Sequence, residues 1–223
     1  MTIQLYFSPG ACSFVPHVLL EMAGASFEPT MVKLHKGEQY GDEYKAINPR
    51  SQVPVLVANG QALTQIVAIC GYIAAQFPAA NFMPQSAWAQ AKMLETFAWM
   101  NNTVHPTFTH IFMPQKFSED AAAQASMKAF HIPQMAARLA EIDALIGQAK
   151  AKGGQFIAAP WGHDHFTALD AYTLTLTRWG SIAGIDPTQF TQAWAHIQQI
   201  AVLPAMARVI ERERLQLNLM AKT

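Results

Sequence analysis

Two cysteines and eight histidines carry most of the nucleophilic and proton-transfer chemistry open to this chain. Cys12 stands at a marked position, in Tyr6-Phe7-Ser8-Pro9-Gly10-Ala11-Cys12-Ser13. An apolar strand breaks there at Pro9-Gly10, and a helical pattern restarts at the cysteine. A helix start offers free N–H groups and the positive end of a dipole, which favour a thiolate or a bound anion. The same residue read as packing is a small apolar side chain under a turn. Cys70 lies on an apolar helix face and reads as core. With no C-x-x-C pair, a disulfide framework is not expected, and the reducing cytoplasm is the simplest setting. His163-Asp164-His165 invites a metal, but no third ligand of matching spacing follows it, so no metal is expected. His17 reads as a packed or surface histidine.

The elements that must position these groups fall into two halves. Ile3 to Ser8 reads as a strand, Ser13 to Ala23 as a helix ending at Gly24, and Phe27 to Leu34 as a second strand. Lys33 to Glu38 is a polar loop, and Tyr40 to Ile47 a short helix ended by Asn48-Pro49-Arg50. Gln52 to Val57 and Gln61-Ala62-Leu63 flank Asn59-Gly60, a strong hairpin signal. Pro54 belongs at a strand start or bulge, in either the cis or the trans form. Thr64 is a candidate cap for the helix Gln65 to Gln76. These elements make one small α/β unit over residues 1–78. Residues 79–86 read as a linker.

Residues 87–223 read as all helical. A long helix from Ala87 to Ile111 sets Leu94, Phe97, Asn101, Val104, His105 and Phe108 along one face, with Pro106 bending it. Ser118 is expected to cap a helix that runs to Lys150 and ends at Gly153-Gly154. Thr167 and Asp170 have capping-box spacing before an apolar run and should fix the start of a buried helix, Ala168 to Ile182. Gln189 to Gln199 and Leu203 to Arg214 complete the chain as two more helices.

The 15 basic and 15 acidic residues cancel, which argues against nucleic acid or an acidic membrane surface as partner. No apolar run approaches a membrane span, and Met1 to Leu5 lack the basic start of a signal peptide. The 51% hydrophobic content suffices for a sizeable core.

Five segments in order resemble one family, the cytosolic glutathione transferases, and in particular its bacterial cysteine-type, beta-class-like members. They are Ser8-Pro9-Gly10-Ala11-Cys12-Ser13 with Pro16-His17; Asn48-Pro49-Arg50-Ser51-Gln52-Val53-Pro54; Leu63-Thr64-Gln65-Ile66; Thr103-Val104-His105-Pro106; and Thr167-Ala168-Leu169-Asp170. The resemblance implies a thioredoxin-like N-terminal domain, an all-helical C-terminal domain and a homodimer. It implies glutathione as co-substrate and a small apolar electrophile as the second substrate. Cys12 and His105 would be catalytic, with Cys12 beside the glutathione sulfur and His105 reaching in from the helical domain. Ser13, Lys36, Val53, Gln65 and Ile66 would bind glutathione, and Pro54 would be structural and cis. Conjugation, or thiol–disulfide exchange through Cys12, would be the reaction.

Two departures from the family pattern bear on this expectation. Members usually carry Glu or Gln followed by Ser or Gly where this chain has Gln65-Ile66. Glutamine lacks the charge that would pair with the γ-glutamyl ammonium, and isoleucine lacks the hydroxyl. One hydrogen bond lost to a charged group costs about 1.5–3 kcal/mol, roughly tenfold to a hundredfold in affinity. The alternative expectation is therefore a non-catalytic or altered-ligand member that uses the fold as a binding module. The second departure is Pro106, where some cysteine-type members carry lysine.

Overall fold

A computed structural model describes residues 2–220. Met1, and residues 221–223 of the expected helical domain, lie outside the described residues. Contacts divide the chain into two compact units. The first is Met1–Phe82 with Ala201–Leu215; the second is Met83–Ile200 with the residues from Gln216 on.

The first unit is thioredoxin-like. Its elements are β1 (Ile3–Phe7), α1 (Phe14–Met22), β2 (Glu28–Met31), α2 (Asp42–Ile47), β3 (Val55–Ala58), β4 (Gln61–Thr64) and α3 (Ile66–Gln76). The sheet order is β2-β1-β3-β4. β1 and β2 are parallel, joined through α1, and β3 runs antiparallel to both β1 and β4. Strand β1 alternates as its sequence requires: Ile3, Leu5 and Phe7 are buried, Gln4 and Tyr6 half-buried. Asn59 and Gly60 both have positive φ, the conformation that lets a two-residue turn close a hairpin. Gly24, at φ +63°, ends the first helical stretch.

The second unit comprises α4 (Ala87–Trp99), α5 (His105–Phe112), α6 (Ala121–Ala151), α7 (Ala168–Ile182) and α8 (Thr191–Ala201). Helix α7 is its core, buried without interruption from Ala168 to Thr177. The expected capping box is formed: Thr167 and Asp170 each accept from the other's end of the first turn. A last helix, α9 (Pro204–Glu213), belongs by its contacts to the first unit, although the sequence placed residues 203–214 in the helical domain.

Four local expectations are corrected. The long helix 87–111 is divided by a π-helical turn, Met100–Val104. Pro106 is the physical reason, since it has no N–H for the carbonyl four residues back and clashes with it. The ladder widens to an i→i−5 bond from His105 N–H to the Met100 carbonyl. The buried face there uses Met93 and Phe97, while Leu94 is exposed. Ser118 does not cap α6; Asp120 does, accepting from the Ala123 N–H at 2.6 Å. Thr64 does not cap α3 either; it ends β4, and Gln65 occupies the cap position without a side-chain bond. Among the described residues no helix is long and apolar enough to cross a membrane.

Candidate active site

The turn that carries Cys12 is closed on itself. The Ser13 hydroxyl accepts from the Ser8 N–H at 3.0 Å and donates to the Ser8 carbonyl at 3.2 Å. Gly10, at φ +70°, provides the reversal. Helix α1 starts at Phe14, one residue later than expected, with Ser13 as its cap. The Ser13 side chain is therefore spent on the turn.

Cys12 is 9% exposed, and its sulfur lies 3.7 Å from the Val53 carbonyl, to which the thiol donates. Burial pushes the thiol up to about 12, against smaller opposing pulls from hydrogen bonds of the Cys12 and Ser13 backbone. This corrects the expectation of an easily ionised thiol: at the helix start the desolvation penalty exceeds what the free N–H groups supply. Cys70, fully enclosed, is likewise pushed well above the ordinary thiol range by burial.

Val53 is held from the loop side by residues that sequence reading passed over. The Tyr44 hydroxyl and the Asn48 amide both donate to the Gln52 carbonyl, each at 2.8 Å. The Asn48 carbonyl oxygen accepts from the Arg50 N–H at 3.1 Å. Tyr44 sits in an apolar cluster with Val32 and Val55, and Val53 packs against its edge. The Val53–Pro54 peptide bond is cis. Among the described residues nothing accepts from the Val53 N–H, so a donor and the carbonyl shared with Cys12 stand at the end of β3. An extended backbone segment could add itself there as a strand does.

Gln65 and Ile66 prove to be opposites. Gln65 is exposed, at φ +72°, a conformation unusual for a residue with a side chain. Its amide has no protein partner among the described residues and is open to a ligand. Ile66 is only 3% exposed, its side chain packed into the core with Ile69, Cys70 and Ile73. It can serve a ligand only through its N–H in the first turn of α3. Lys36 ends a 3-10 turn, Leu34–Lys36, exposed and without a hydrogen bond to the other candidate residues. The structure thus joins Cys12 to Val53 directly and does not join Lys36 to either.

In the second unit, His105 opens α5, immediately after the π-helical turn. Its Nδ1 lies 2.7 Å from the Tyr172 hydroxyl on α7. Trp179, two turns further along α7, meets the imidazole nearly edge-on at 4.7 Å between ring centres and stacks on Phe108 at 4.6 Å. Burial among these rings, with a smaller push from the Lys116 charge, holds the His105 pKa down to about 4. Phe108 is core, and only Phe112, stacked on it, is exposed. His163 and His165 lie as adjacent rings, and among the described residues no group of three or more potential ligands is placed to hold a metal.

The feature furthest from the sequence reading is a buried chain behind the Cys12 turn. Glu213 of α9 accepts from His17 Nδ1 at 2.8 Å and from the Gly10 N–H at 2.9 Å. Arg212 reaches His17 Nε2 at 3.0 Å and Glu21 at 2.6 Å. Proximity in sequence gives no sign of it, because His17 and Glu213 are 196 residues apart. A glutamate on the apolar side of a C-terminal amphipathic helix was the one available signal.

With this geometry in hand, comparison with known proteins gives a consistent result. Residues 1–75 match the model of the glutathione S-transferase N-terminal domain. The chain is 28% identical to glutathione S-transferase GstA of Escherichia coli O157:H7 over 220 residues, 96% of this chain and 100% of that protein. It is 30% identical over 200 residues to glutathione S-transferase GST-4.5 of Xanthomonas campestris pv. campestris, covering 89% of this chain and 92% of that one. Among solved structures, a glutathione transferase homolog from Sulfitobacter with bound glutathione superposes with a TM-score of 0.87 at 25% identity, over 96% of this chain and 99% of that chain.

Proposed function

Because the chain belongs to the glutathione S-transferase family, we propose that it joins reduced glutathione to small apolar electrophiles through the glutathione thiolate, with Cys12 as a neutral neighbour of the reacting sulfur. The observation that carries this reading is the Cys12 thiol 3.7 Å from the Val53 carbonyl, beside an N–H without a partner. The pair suits a thiol-bearing peptide laid along the end of β3. Its cysteinyl amide would accept from the Val53 N–H, which would bring its sulfur to the Cys12 turn.

The remaining residues fit a tripeptide with charges at both ends. Gln65 offers an open amide, the Ile66 N–H offers an anion-binding helix start, and Lys36 offers a cation for a carboxylate. In the reaction the glutathione thiol gives its proton to solvent. The thiolate forms a carbon–sulfur bond to the electrophile, and the leaving group departs with its electron pair. The N–H groups of Cys12 and Ser13 favour the anionic sulfur, and His105 is the second residue proposed as catalytic. With its own pKa pushed up to about 12, Cys12 is a poor thiolate nucleophile, so conjugation takes precedence over exchange through that residue.

The family likeness supports reading the protein as a homodimer that acts in the cytoplasm in detoxification; light scattering on the purified protein tests the first. The decisive experiment is calorimetric titration of reduced glutathione into wild type and Cys12→Ala, followed by turnover of an activated aryl halide. Micromolar to low-millimolar binding by both, with conjugation largely kept in the variant, is the expected result. Conjugation abolished in a Cys12→Ala protein that still folds and binds glutathione would make Cys12 the nucleophile and overturn the assignment.

A further inference from the structure

His105 can serve a sulfur in two incompatible ways. With the proton on Nδ1, the lone pair at Nε2 would act as a base toward a thiol. With the proton on Nε2, the ring would instead donate a hydrogen bond to a thiolate. The choice is made at Nδ1, and the group that makes it is on α7.

We propose that Tyr172 is a positioning residue that donates its hydroxyl proton to His105 Nδ1, so that His105 presents a neutral Nε2–H donor. The inference rests on the reading of His105 as a catalytic residue. The Tyr172 oxygen lies 2.7 Å from Nδ1, the length of a strong O–H···N bond. A phenol is a far stronger acid than a neutral imidazole N–H, so phenol to imidazole nitrogen is the favourable direction of donation. Tyr172 is fully buried and packed edge-on against Phe97, so its hydroxyl has a fixed place. Trp179 holds the imidazole from another side at 4.7 Å. Nε2 has no bond to any described residue and is not enclosed, so it is the nitrogen left for a ligand.

The electrostatics agree with the geometry. Burial holds His105 neutral through the working pH range, so the ring has one N–H to give and one lone pair to occupy. A base of pKa about 4 takes a thiol proton poorly, whereas an N–H donor to a thiolate loses nothing by being neutral. The aromatic ring chain and the tyrosine together specify a donor rather than a base.

Nitrogen-15 labelling of the histidines, with His105→Gln to assign the signal, reads the tautomer directly in the full protein. The expected spectrum shows Nε2 protonated and Nδ1 unprotonated from pH 5.5 to 8. In Tyr172→Phe, which keeps the ring and removes one oxygen, that preference should vanish. Turnover of an activated aryl halide should then fall about tenfold in kcat, with KM for reduced glutathione and the melting temperature little changed. A wild-type ring protonated at Nδ1 would overturn the proposal, as would unchanged kcat in Tyr172→Phe. Full activity in His105→Gln, with the Nε2–H tautomer observed in wild type, would instead sink the catalytic reading of His105 and leave the tautomer assignment standing.

Discussion

Two histidines, one in each unit, show how the same side chain can have both ring nitrogens taken or one left open. His17 is completely buried and uses both nitrogens. Arg212 has only donors to offer, so Nε2 accepts from it and Nδ1 donates to Glu213. Both ends are occupied, and nothing is left for a ligand. His105 is partly buried and uses one nitrogen, with Tyr172 on Nδ1 and Nε2 open. The two share a side chain; the count of satisfied nitrogens is what separates them.

The strongest way to break this comparison is to remove Glu213. Glu213→Ala removes the carboxylate that His17 Nδ1 bonds at 2.8 Å, in a fully buried site. Leaving a buried donor without its acceptor costs about 1–3 kcal/mol. Urea unfolding should show that loss, and Glu213→Gln should recover part of it through its amide oxygen. A loss under about 1 kcal/mol would mean that water replaces the carboxylate and that His17 is not locked.

The next effect belongs to His105 and appears on changing pH. Its folded pKa of about 4 lies below the unfolded reference of 6.5. Between these values the unfolded chain binds a proton that the folded chain refuses. Stability is therefore full above pH 6.5, falls as the pH drops toward 4, and levels off below that. The contribution is at most on the order of 3 kcal/mol, less whatever solvent screening removes. Urea midpoints across that window should slope less steeply in His105→Gln than in wild type; equal slopes would mean that the ring is solvated and its open nitrogen unexceptional. The same variant should lose about tenfold to a hundredfold in kcat while costing under about 1 kcal/mol in stability at pH 7, the reverse of Glu213→Ala.

What could be read from sequence follows the range of the interactions. The Pro9-Gly10 break, the Asn59-Gly60 hairpin and the Thr167–Asp170 capping box are all local, and each formed where the residue types demanded. The π-helical turn was half legible: Pro106 announced a disturbance but not its form, which depends on how the α4–α5 ladder re-pairs upstream. The Cys12 thiol was misjudged because helix position is visible in sequence and desolvation is not. The Glu213–His17 chain could not be read at all, since it joins the two ends of the first unit. The burial of the Ile66 side chain was legible too: its spacing with Ile69, Cys70 and Ile73 is that of a buried helix face, which leaves its backbone N–H as the group for a ligand.

The pair Gln65-Ile66 gives the smallest effect, and one whose sign separates two accounts of the site. Counted as lost ligand groups, both positions would gain from the family residues. In the fold only Gln65 can gain. Gln65→Glu adds a charge at an exposed position, where an ion pair is worth about 0.2–1 kcal/mol. Glutathione affinity should rise by about twofold to fivefold, well short of the hundredfold that a buried pair would bring. Ile66→Ser places a hydroxyl in a pocket that is 3% exposed and lined by Ile69, Cys70 and Ile73. That substitution removes apolar packing worth about 2–4 kcal/mol. It returns no ligand contact, because the side chain points into the core while the N–H already faces the helix start. Calorimetry and urea unfolding on the two variants should therefore move independently, affinity in the first and stability in the second. If Ile66→Ser tightened glutathione binding, the first turn of α3 would have to rotate on binding, and the division between a spent side chain and an open backbone would not hold at this position.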